Sequence, residues 1–153
     1  MNNFLTTLRQ IYKWGALFLC LAFFIMPLAS CTYVNETATG WNIARGTRNA
    51  MLLLSSNPIM FIMLAIPIFM AASGFVACSF IVLRKAALLG LASHLIFIGW
   101  LATRSEFRNG LFEFAYGTWL VLLVYVLLFG AAHFGAFLTK KYRENDITMI
   151  FKL

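Results

Sequence analysis

Long apolar stretches separated by short polar ones make up most of this chain. Four stretches are almost free of charged side chains, and they lie at residues 14–31, 58–83, 86–102 and 114–138. A helix needs about 20 mostly apolar residues to cross a hydrocarbon core of about 30 Å. The pattern therefore predicts an all-α integral membrane protein, a four-transmembrane-helix bundle that forms a single domain, with outer loops at residues 32–57 and 103–113.

The placement of the positive charges predicts an orientation. Cytoplasmic segments of membrane proteins carry an excess of Lys and Arg. With the N-terminus inside, eight of the 12 Lys and Arg lie on the cytoplasmic side and four lie outside. The eight are Arg9, Lys13, Arg84, Lys85, Lys140, Lys141, Arg143 and Lys152, and the four are Arg45, Arg48, Arg104 and Arg108. We therefore predict a multi-pass protein of a bacterial inner membrane with both termini in the cytoplasm.

Composition supports the same class. The chain is 62% hydrophobic and 11% charged, whereas soluble domains are about 45–50% apolar and about 25% charged. A net charge of +7 would suggest nucleic acid in a soluble protein. Here the cations sit at the ends of apolar stretches, where anionic lipid headgroups attract them. We expect membrane lipids, and not nucleic acid, as partners.

The first apolar stretch ends in Leu28-Ala29-Ser30-Cys31, which resembles the bacterial lipobox. A short apolar segment preceded by Arg9 and Lys13 fits a secretory signal, and processing would leave Cys31 as a lipidated N-terminus. The same features describe a first transmembrane helix that is retained. We predict retention, with Cys31 at the outer interface, and keep lipidation of Cys31 as the alternative.

The sequence lacks the residue patterns on which most enzymes and ion-coupled transporters depend. Cys20, Cys31 and Cys78 form no Cys-x-x-Cys pair, which membrane enzymes that make disulfides require. The cysteines also lack the close spacing that zinc ligands show. No carboxylate lies inside an apolar stretch, whereas ion-coupled transporters place one in the membrane. We expect no catalytic residue, no bound metal and no resident cofactor.

The two histidines, His94 and His133, are the ionisable side chains inside apolar stretches. Measured from the predicted cytoplasmic ends of their helices they lie at similar depths, so two antiparallel helices could present them to a haem b iron. Gly90 and the small residues near His133 would leave room for such a group. The alternative is that both histidines face the bundle interior and are hydrogen-bonded packing residues, and we favour this interpretation.

The first outer loop carries Arg45 and Arg48, which are three residues apart. On an interfacial helix both could contact a lipid phosphate or a carboxylate of another subunit.

Three functions remain open at this stage. The leading hypothesis is a non-enzymatic accessory or structural subunit that packs against other integral membrane proteins or against itself. The second is an electron-transfer subunit that binds haem b or quinone through His94 and His133. The third is an immunity-type membrane protein, of the kind that protects against pore-forming bacteriocins.

Overall fold

The computed structural model describes residues 2–31, 37–39, 58–77 and 79–150. These residues are mostly helical, and the main helices run up and down in turn. Helix α1 covers Asn2–Ile25, α2 Pro58–Val76, α3 Phe80–Thr103 and α5 Tyr116–Ile150, with a single turn α4 at Ser105–Arg108. Strands β1 (Pro27–Cys31), β2 (Thr37–Thr39) and β3 (Phe112–Phe114) form a small antiparallel sheet in the order β2-β1-β3.

Three of the helices are long and apolar enough to cross a membrane. They are Asn3–Ile25, Phe80–Thr103 and Tyr116–Tyr142, with mean hydropathies of 1.3, 1.8 and 2.2. A shorter apolar helix, Ala65–Val76, belongs to α2. A helical bundle agrees with the sequence pattern, while the sheet departs from the all-α expectation.

The first helix begins and ends earlier than the apolar pattern predicts. Its polar half stays helical because Arg9 and Lys13 find partners in the bundle. Arg9 Nη2 donates to the main-chain oxygen of Ala77 at 2.7 Å, and Lys13 Nζ lies 4.3 Å from the Phe75 ring centroid. The helix ends before Pro27, which has no N–H to continue it. The lipobox-like segment that follows is therefore a strand and not the end of a helix.

Helix α2 ends at Val76 and α3 begins at Phe80, so the two helices do not separate at Arg84 and Lys85, where the charges had suggested a break. Ser79 caps α3, since its hydroxyl accepts a hydrogen bond from the Ile81 N–H at 3.3 Å. Arg84 and Lys85 lie inside α3, because Arg and Lys are good helix formers. Helix α5 likewise continues through Lys140 and Lys141 and ends at Ile150.

Glycines set the closest helix contacts. A Cβ at Gly90 of α3 would collide with the Tyr125 ring, and one at Gly135 of α5 would collide with the Phe80 ring. Both contacts hold α3 antiparallel to α5. By contrast, nothing lies within 4 Å of a Cβ built at Gly130, so this glycine makes no close helix contact with the part of the chain that the structure describes.

Candidate functional site

His94 is a buried residue of the interface between α3 and α5. Only 4% of its surface is exposed. Its Nε2 lies 3.1 Å from the main-chain oxygen of Thr118, and a carbonyl accepts only, so Nε2 carries the proton in this contact. The imidazole ring packs against Phe97 and Tyr125, with centroids 6.0 and 5.6 Å away. This is the environment expected of a packing histidine.

The hydrogen bonds continue from Thr118 to the first strand. The Thr118 hydroxyl donates to the main-chain oxygen of Leu28 at 2.6 Å, and the Ala115 N–H donates to the same oxygen at 3.1 Å. Leu28 and Thr118 are both fully buried. His94, Thr118 and Leu28 thus join α3, α5 and β1 in one buried polar chain.

The space beside His94 is small. A cavity of about 10 Å³ is lined by Phe23, Ser93, His94, Phe97 and Tyr125, which is about the space that one water molecule needs. The room that Gly90 leaves is filled by the Tyr125 ring. No slot for a porphyrin or a quinone ring opens at His94.

His133 lies elsewhere and faces outward. Its side chain is exposed, and its ring lies 5.8 Å from Phe129 on the same helix. His133 follows Tyr125, the contact of His94, by eight residues, which is about 12 Å along the helix. The two imidazoles therefore do not converge on one iron, and the expectation that both face the interior is wrong for His133.

The equal depth predicted for the two histidines depended on where α3 begins. The sequence pattern started this helix at Ala86, whereas it starts at Phe80. His94 is thus 14 residues from the start of α3 and not eight, which places it nearer the sheet and away from His133.

His133 instead lines a groove of about 310 Å³ between the start of α3 and the second half of α5. We call this the basic groove. Arg84 and Lys140 line it together with His133, and hydroxyl groups come from Ser79 and Thr139. Its apolar lining residues are Phe80, Ile81, Ala136 and Phe137.

Sequence reasoning missed the basic groove. His133 and Lys140 are seven residues apart and share a face of α5, which the sequence does signal. Arg84 joins them only because Phe80 packs on Gly135 and sets the register of the two helices. The apolar periodicity of α3 or α5 does not indicate how the two helices pair.

The lipobox-like segment forms the central strand of the sheet. Ala29, Ser30 and Cys31 pair with β3. Pro27, Ala29 and Ser30 pair with β2. Leu28 and Ala29 are buried. Removal of residues 1–30 would take away α1 and most of this strand. Lipidation of Cys31 stays an untested alternative, and Arg45 and Arg48 lie outside the described residues.

Among the described residues, no three His, Cys, Asp or Glu side chains lie close enough together to hold a metal ion. Comparison of the chain with protein-family models, with curated proteins and with solved structures finds no match.

Proposed function

We propose that this chain is a multi-pass integral protein of a bacterial inner membrane that acts as a non-enzymatic accessory or structural subunit of a membrane complex. The observation that carries the proposal is the outward face of the bundle. Large apolar side chains are exposed along each long helix, in stripes that repeat at helical spacing. They include Trp14, Phe18 and Leu21 of α1, Leu88, Leu95 and Ile96 of α3, and Trp119, Leu123 and Leu127 of α5.

Such stripes would be costly in water. Each large side chain that leaves water contributes about 1.5–3 kcal/mol, and soluble monomers rarely expose continuous apolar patches of this extent. Lipid or the apolar surface of another membrane protein removes that cost. The stripes of α1, α3 and α5 point in several directions, which fits lipid on some sides and a protein neighbour on another.

The charges support the proposed orientation. Arg9 and Lys13 lie at the α2–α3 turn, and Arg84 and Lys140 share the basic groove at the same end of the bundle. Arg104 and Arg108 lie at the other end, and Glu113 is part of the sheet there. The end with more cations is the one that the charge rule assigns to the cytoplasm.

Three buried side chains, His94, Thr118 and Tyr12, bond to main-chain carbonyls. The Tyr12 hydroxyl donates to the Leu83 oxygen at 3.1 Å, and such bonds stabilise the bundle. The specificity of an accessory subunit would then lie in one of its outward faces.

Site-specific photocrosslinking in native membranes tests this function. A photoreactive residue replaces Phe69, Leu89 or Leu127, which are exposed side chains on α2, α3 and α5. We expect one face to give a single protein adduct of defined mass and the other faces to give lipid adducts. An adduct of twice the 17.3 kDa chain mass would identify self-association. Lipid adducts alone at every position, at native expression, would contradict the subunit role.

A further inference from the structure

The basic groove combines positive charge with apolar surface at one edge of the bundle. Arg84 enters it from α3, and His133 and Lys140 enter it from α5. Phe80, Ile81 and Phe137 supply aromatic and aliphatic surface in the same groove. We propose that the basic groove binds one anionic phospholipid, with the headgroup phosphate at Arg84 and Lys140 and an acyl chain along the apolar residues. This inference rests on the proposed membrane location.

The position of the groove fits a headgroup. Lys140 lies near the end of the apolar segment Tyr116–Tyr142, and Arg84 lies in the second turn of the apolar segment Phe80–Thr103. A groove at such a boundary meets the headgroup layer on one side and the hydrocarbon on the other. Basic pockets between transmembrane helices on the cytoplasmic side are typical sites for anionic headgroups.

The side chains that line the groove can donate hydrogen bonds to the oxygens of a phosphate group. A guanidinium can donate two parallel hydrogen bonds to a phosphate, and an ammonium adds a compact charge. The imidazole of His133 and the hydroxyl of Ser79 can also act as donors. The Thr139 hydroxyl donates its proton to the Gly135 oxygen at 2.8 Å, so in the groove it can act only as an acceptor.

The apolar lining favours a lipid over a free phosphate ion. Ile81 and Phe137 are 53% and 57% exposed, and a free ion would leave these side chains uncovered. An acyl chain would cover them with apolar surface. The Phe80 ring, which lines the groove, also packs closely on Gly135.

Native mass spectrometry of the full chain in detergent tests the proposal. Phosphatidylglycerol and phosphatidylcholine with identical acyl chains are the probes. We expect one phosphatidylglycerol to remain bound, and Arg84→Gln or Lys140→Gln to weaken it about fivefold, the effect of about 1 kcal/mol per cation near a membrane surface. Arg84→Lys should recover most of the binding. Equal retention of both lipids by the unmodified chain would overturn the proposal.

Neighbouring cations provide matched controls. Lys85 and Lys141 each adjoin a groove residue but do not line the groove, so Lys85→Gln and Lys141→Gln should change binding by less than about twofold. Equal losses in control and groove variants would show general surface attraction and overturn the assignment. Displacement of the lipid by inorganic phosphate would do the same, because it would identify a site for a free anion.

Two further measurements separate this inference from the proposed function. Each variant must melt like the unmodified chain, so that a loss of binding is not a loss of folding. Carbonate extraction of native membranes tests membrane integration independently. A chain that stays in the membrane while its groove variants bind phosphatidylglycerol normally would overturn the groove assignment alone. A chain released by carbonate would overturn the membrane location itself.

Discussion

The hydroxyl of Thr118 donates a hydrogen bond to the main-chain oxygen of Leu28, 2.6 Å away and 90 residues distant in the chain. This bond ties the first turn of α5 to the strand that follows α1, and both residues are fully buried. It is one reason why the segment after the first helix folds inward and is not left as a loop.

Thr118→Val should destabilise the bundle by about 1 kcal/mol, because a buried hydroxyl bond is lost while the Leu28 oxygen keeps the Ala115 N–H. Thr118→Ser keeps the hydroxyl and should cost less. Thermal unfolding in detergent measures both. A Val variant that melts at or above the temperature of the Ser variant would show that this hydrogen bond does not stabilise the bundle.

The two histidines should differ in their effect on stability. His94→Ala removes the contact with Thr118 and enlarges the small cavity between α3 and α5, so we expect a loss of about 2–3 kcal/mol. His133→Ala changes an exposed side chain and should stay within about 0.5 kcal/mol. Parallel melts of the two variants check this, and similar losses at both positions would contradict the different burial of the two rings.

Two glycines should respond with opposite signs to the same substitution. Gly90→Ala places a methyl group against the Tyr125 ring, which must shift, and we expect a loss of about 1–3 kcal/mol. Gly130→Ala meets nothing within 4 Å and removes backbone freedom inside a helix, so a gain of about 0.5–1 kcal/mol is expected. The control is internal, because both changes add one methyl group to a helix. A gain at Gly90 would mean that α3 and α5 do not approach as described.

We expect the chain isolated from membranes to keep its first helix. Tyr12, Leu19 and Phe23 of α1 belong to the buried core, and cleavage before Cys31 would expose the surfaces that they cover on α2, α3 and α5. Intact-mass analysis decides between retention and processing. A mass lacking residues 1–30 and carrying acyl chains would reverse this prediction.

Both chain ends should lie in the cytoplasm. Alkaline phosphatase fused after Leu153 should be inactive, because the enzyme folds only outside the inner membrane, and a fusion after Arg108 should be active. A green fluorescent protein fused at the same two positions gives the reciprocal control. Phosphatase activity from the Leu153 fusion alone would overturn the orientation.

The apolar pattern predicted the existence of the main helices, because a long run of apolar residues can satisfy its backbone only as a helix when water is excluded. Small residues such as Gly90 and Gly135 mark the close helix contacts in the structure. Their partners, Tyr125 and Phe80, were not predictable, because a pairing between two helices leaves no trace in the periodicity of either.

The helix boundaries also depended partly on the sequence pattern and partly on contacts between helices. The cations at Arg84 and Lys85 suggested a break, yet the break is placed by the Ser79 cap and by Arg9, which bonds to Ala77 from another helix. A six-residue shift in the start of α3 then separates His94 from His133. Charge near an apolar stretch indicates where water lies, but it does not end a helix.

The sequence by itself determined the long apolar segments of this protein and the asymmetry of its charges, since these follow from composition along the chain. Only the tertiary structure decided that Leu28 to Cys31 form a central strand, that His94 is buried, and that His133 shares a groove with Arg84 and Lys140. Each of these depends on residues that are distant in the chain and are brought together by packing, and local residue preferences do not encode such contacts.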